Sequence, residues 1–94
     1  MQCSSLDLTA HLLQRLFSRR INLAEVRHAV EQGQLIASYP TDKPYPSVLL
    51  LAFVNQQPLH VAVAQDAATG LCVVVTAYRP DPARWNATFT QKIN

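Results

Sequence analysis

Residues 58–64, Pro-Leu-His-Val-Ala-Val-Ala, constrain the fold of this chain more than any other stretch. In an extended strand successive side chains point to opposite faces, so Leu59, Val61 and Val63 share one side while His60, Ala62 and Ala64 share the other. The first side requires a hydrophobic core against it. The second carries small residues around a single imidazole, a surface that either takes a close-packed neighbour or leaves a shallow groove. The spacing predicts the central strand of a small antiparallel sheet, and the remaining elements read as cover for its two faces.

Thr9 suits the N-cap of a first helix reaching Ser18 or Arg20. At 100° per residue Leu12, Leu13, Leu16 and Phe17 form one apolar arc. His11, Arg15 and Arg19 recur four apart beside it as a cationic stripe. Such a stripe is either a solvated flank, its arginine stems lying on apolar surface, or a phosphate clamp. Asn22 followed by Glu25 makes a capping box for a second helix that sets Leu23, Val26 and Val30 roughly on one side, with Ala29 beside them, and stops at Gly33. His28, beside Arg27 with no evident partner, reads as a surface histidine.

Strands are predicted at 35–39, 47–54, 58–64 and 71–78. A proline-stiffened loop holding Asp42 and flanked by Tyr39 and Tyr45 joins the first two. The strand at 47–54 is apolar on both faces, so both need cover. Asn55 to Gln57 turns into the central strand, and Gly70, available for positive φ, closes the next turn. Asp81-Pro82 resembles the start of a short C-terminal helix that would lay Trp85 and Phe89 on the sheet as a lid. The expected fold is α+β, a single domain over 1–94: an N-terminal two-helix hairpin packed on a four-stranded antiparallel meander sheet, with a short C-terminal helix.

Composition narrows the classes. Apolar residues at 49% against 15% charged argue for a packed fold rather than disorder. The apolar run at 48–54 is far too short to span a membrane, and the start has neither a basic region nor an apolar core, so a cytoplasmic protein with no membrane partner is expected. Cys3 and Cys72, in no C-x-x-C pair, are expected as reduced thiols. The Asn86-Ala87-Thr88 sequon then reads as a chance match. A net charge of +2 decides little, but its placement is uneven: residues 11–30 hold Arg15, Arg19, Arg20 and Arg27 against Glu25 alone. Residues 79–94 are basic as well, so an anion site would involve the helices and the tail.

Five ordered blocks stand out: His11-x-x-x-Arg15-x-x-x-Arg19-x-Ile21, Tyr39-Pro40, Pro44-Tyr45-Pro46-Ser47, Pro58-Leu59-His60-Val61, and Thr76-Ala77-Tyr78-x-Pro80-Asp81 with Trp85. Together, over roughly residues 8–90, they closely resemble domain of unknown function 4258, a family of small bacterial proteins. The resemblance implies a fold similar to the RelE-type and barnase-like (BECR-fold) ribonucleases, and a toxin of a toxin–antitoxin pair with an antitoxin protein as partner. It also implies that the polar pattern of the family falls on His11, Arg15, Arg19, Tyr39, His60 and Tyr78. One departure matters: where the family has glycine after the second arginine, this chain has Arg20, so the turn needs a strained backbone or another geometry.

Metal-independent RNA cleavage needs a base for the 2′-hydroxyl, cations for the phosphorane and an acid for the leaving oxygen. His60 and His11 are the candidate base and acid, with Arg15 as the catalytic cation. Arg15 and Arg19 would hold phosphate, and Tyr39 or Tyr78 would stack a base or donate a hydrogen bond. No ligand spacing supports a metal and no motif supports a cofactor; Cys72 and Ser47 lie in or beside apolar strands and are poor nucleophiles. Two functions follow: a ribonuclease toxin acting on RNA, or a non-catalytic module of the same fold that binds protein or nucleic acid. The second face of 47–54 would be covered by the tail, a homodimer mate or an antitoxin. Convergence of His11, Arg15, His60 and Tyr78 in one open cleft favours the enzyme, and a His60 sealed beneath Trp85 favours the module.

Overall fold

The alternation at 58–64 is realised as a strand whose Leu59, Val61 and Val63 are fully buried, each such side chain stabilising the fold by about 1.5–3 kcal/mol relative to exposure. The computed structural model describes residues 1–93. In chain order the elements are β1 (Ser5–Asp7), α1 (Ala10–Ser18), α2 (Leu23–Gln32), β2 (Gln34–Tyr39), β3 (Ser47–Val54), β4 (Gln57–Gln65) and β5 (Leu71–Tyr78). The sheet order is β1-β5-β4-β3-β2. Both helices cover one face, where Leu12, Leu16, Val26, Ala29 and Val30 meet Leu50, Leu59, Val61, Val63 and Val74.

Local signals set most of the boundaries. The Thr9 side chain accepts from Leu12 N–H to open α1, and Asn22 and Glu25 form both halves of the capping box of α2. Gly33 ends α2 for want of space rather than for its backbone: a Cβ there would stand 2.3 Å from the Ala29 carbonyl oxygen. Asn55 and Gln56, at φ 51° and 67°, make the two-residue turn between β3 and β4. Gly70, at φ 79°, uses the positive φ that its turn requires.

Four expectations are corrected. The sheet has five strands and is mixed, not a four-stranded antiparallel meander, because β1 pairs parallel to β5, with Leu6 opposite Cys72. That pairing brings the N-terminal segment beside β5, where Cys3 and Cys72, expected as free thiols, form a disulfide across 69 residues of sequence. No C-terminal helix forms among the described residues. Asp81 caps a single turn through Ala83 N–H, after which Trp85 bridges to Lys92 and turns the chain back. Finally, only half of the apolar arc on α1 is used: Leu12 and Leu16 are buried, whereas Leu13 is 42% and Phe17 87% exposed.

The end of α1 explains the Arg20 departure. Ile21 N–H donates to the Leu16 carbonyl and Arg20 N–H to that of Phe17, a Schellman closure with Arg20 at φ 57°. The fold thus keeps the turn that glycine favours and accepts the steric cost of a Cβ in the left-handed region. Arg20→Gly is expected to raise the unfolding free energy by about 1 kcal/mol. The check is a urea titration, with a higher midpoint at unchanged slope.

Candidate functional site

His60 lies on β4 between Leu51 of β3 and Tyr78 of β5, on the sheet face away from the helices. It is 0% exposed. Its Nε2 is 2.8 Å from the Phe89 carbonyl oxygen, which can only accept, so the ring proton sits on Nε2. Nδ1 is then the acceptor for the Tyr78 hydroxyl at 3.2 Å. The Trp85 ring stands edge-on at 4.4 Å between centroids and that of Tyr78 at 5.3 Å. Burial pushes the imidazole pKa below its ordinary 6.5, with the Phe89 carbonyl bond partly opposing. Burial also raises the Tyr78 phenol above 10.0, and the nearby Tyr39 phenol adds to the rise.

The segment after β5 makes this lid. Asn86 organises it, its side-chain oxygen accepting from Thr90 N–H at 2.9 Å and Gln91 N–H at 3.3 Å. Phe89, at φ 60°, meets Phe53 edge-on at 6.4 Å while its carbonyl turns to His60. The lid is anchored at its base by Arg79, paired at 2.6 Å with Glu25 in the first turn of α2. Sequence reasoning counted Arg79 only as charge and missed this tie, for which no local signal exists.

The other candidates lie elsewhere. His11 and Arg15 are exposed on α1, in the layer across the sheet from His60, where Arg15 Nε donates to His11 Nε2 at 3.0 Å. The Arg19 guanidinium bonds the Ala77 carbonyl at 2.8 Å and reaches Thr76 Oγ1 at 3.4 Å, tying α1 to the end of β5. Tyr39 stands on the His60 face, since it pairs with Ser47, which pairs with Ala64. The structure therefore unites His60, Tyr78 and Tyr39 on one face and leaves His11 and Arg15 on the other side. Ser47 donates to Asp42 at 2.6 Å, which pins the proline-rich loop over the start of β3.

Among the described residues no group of three or more His, Cys, Asp or Glu side chains is placed to hold a metal ion. No described helix is long and apolar enough to cross a membrane. No curated protein and no solved structure matches the chain. A family model, Domain of unknown function (DUF4258), matches residues 8–79. That span runs from the residue before the Thr9 cap to Arg79 and so includes every candidate named from the sequence, while Trp85 and Phe89 of the lid lie beyond it. A match over so much of the chain shows the family: the protein belongs to the Domain of unknown function (DUF4258) family.

Proposed function

We propose that this protein is a non-catalytic binding module. The observation that carries the reading is His60, the best-placed base on the chain, fully buried with both ring nitrogens occupied by Tyr78 and Phe89. A general base must come within about 2.6–3.2 Å of the proton it takes, or reach it through one water. Trp85 and the Phe89 carbonyl stand directly against the ring. His11 and Arg15 lie on α1, which covers the opposite face of the sheet from His60. Arg19 spends its guanidinium on the β5 backbone. The polar residues of the family pattern then serve as struts: Arg19 joins helix to sheet, and His60 and Tyr78 seat the lid.

The test is inducible expression of the full chain in a bacterial host, alongside Arg15→Ala and His60→Ala, scoring growth and RNA integrity. A binding module gives good soluble yield with neither growth arrest nor RNA fragmentation. Arrest with fragmented RNA, relieved by Arg15→Ala in a folded protein, would instead establish a RelE-like ribonuclease toxin, with RNA as substrate and an antitoxin as its neutralising partner.

A further inference from the structure

Two unfavourable features meet where α1 ends. Phe17 leaves 87% of its surface in water, and Arg20 holds a left-handed backbone that a glycine would adopt freely. Neither contributes to the core. Both line one shallow recess of about 560 Å³, together with Ser18, Ile21 and Asn22. Leu13, one turn earlier and 42% exposed, extends the apolar ridge that borders it. An exposed aromatic beside a recess, with an arginine held there at a conformational cost, is the composition of an anchor site rather than of a solvated flank.

The recess carries one cation, Arg20. Arg27 lines a different recess with Met1 and Gln2, the Arg19 guanidinium is bonded to the Ala77 carbonyl, and the Glu25 carboxylate is bonded to Arg79. That is the one ion pair among the described residues, so Arg20 faces the recess without a carboxylate of its own. A second copy of the chain would bring the same recess, with another Arg20 and no carboxylate to pair with it. A nucleic acid would call for a row of cations at phosphate spacing, whereas the neighbours of Phe17 here are the aliphatic Leu13 and Ile21 and a single arginine. An acidic segment with an apolar side chain matches both parts.

We propose that the Leu13–Phe17 ridge and its recess are a docking surface for an acidic, amphipathic segment of a partner protein. An apolar side chain of that segment seats against Phe17 and Leu13, and a carboxylate pairs with Arg20. The inference rests on the binding-module reading and adds to it the surface and the chemistry of the partner.

The probe is a phage-displayed library of random peptides of about 16 residues, panned on the full chain. Enriched peptides are expected to be acidic, with apolar residues at i and i+4. Binding should weaken about tenfold in Phe17→Ala and by a similar factor in Arg20→Gly, a variant expected to be more stable than the parent and so free of any folding defect. Each of three results overturns the proposal. The first is no enrichment, or enrichment without acidic character. The second is binders indifferent to Phe17→Ala, which leaves a binding module that works through another surface. The third is a Phe17-dependent dimer in sedimentation, or Phe17-dependent binding of a uridine oligomer, either of which assigns the recess to another occupant. Cleavage of that oligomer by the wild-type chain would remove the binding-module reading itself.

Discussion

Replacing both Cys3 and Cys72 with alanine is expected to lower the unfolding free energy by about 4 kcal/mol, the chain-entropy value for a cross-link that closes a loop of this length. Against the roughly 5–15 kcal/mol of a typical domain this is a large share, and the thermal midpoint should fall by about 20 °C. The bond adds to a modest set of ties on the N-terminal segment, where Met1, Leu6 and Leu8 pack part-buried against the core. β1 pairs through three residues, Ser5, Leu6 and Asp7. Beyond it stand the Met1 amino group on the Val30 carbonyl, Ser4 N–H on the Gly70 carbonyl and the Gln65 amide on the Gln2 carbonyl. Urea titration of the variant, and of the wild type under a thiol reductant, should give the same loss. Hydrogen exchange should show the amides of β1 freed first. A loss below about 1 kcal/mol would mean that the segment docks without the bond.

His60→Leu is the second large effect. It removes the partner of two part-buried groups, the Phe89 carbonyl and the Tyr78 hydroxyl, and an expected cost of about 3 kcal/mol at neutral pH follows. The pH dependence has a definite sign. The folded imidazole has its pKa lowered, so below the unfolded value of 6.5 the unfolded chain takes up a proton that the folded chain refuses. The contribution of His60 to stability is therefore full above 6.5 and declines as the pH falls from there to the depressed folded value. Urea midpoints measured across that window should slope downward in the wild type, and the slope should flatten in His60→Leu. An equal slope in the two proteins would assign the acid sensitivity to another group.

What could be read from the sequence was what local chemistry decides. β3 falls on its continuous apolar run and β5 on its alternation, because Asn55, Gln56 and Gly70 fix the turns between strands. The capping box at Asn22 and Glu25 does the same for α2. What escaped depends on contacts distant in sequence. β1 is a three-residue parallel strand with no turn to announce it, and its disulfide spans 69 residues. Asp81-Pro82 opens a turn as readily as a helix, and the Trp85–Lys92 bridge decides between them. Trp85 and Phe89 do cover the sheet as expected, but from a folded-back turn segment rather than from one face of a helix.

The site carries a similar lesson. Helical spacing shows that His11, Arg15 and Arg19 form a stripe, but not where that stripe lies relative to the sheet. The alternation contains the answer once the core is known. If Leu59, Val61 and Val63 face the helices, His60 must face away from them and from the stripe. Phe17 was misplaced for a related reason: an arc of four apolar residues is wider than the strip of α1 that the sheet covers.

The most direct measurement is an NMR titration of the His60 imidazole in the full chain, with and without a single-stranded RNA oligomer. A sealed, neutral His60 predicts a proton on Nε2, a pKa below 6.5 and no response to RNA. A ring that titrates at or above 6.5 and shifts when RNA is added would place His60 in an open site and contradict the binding-module reading.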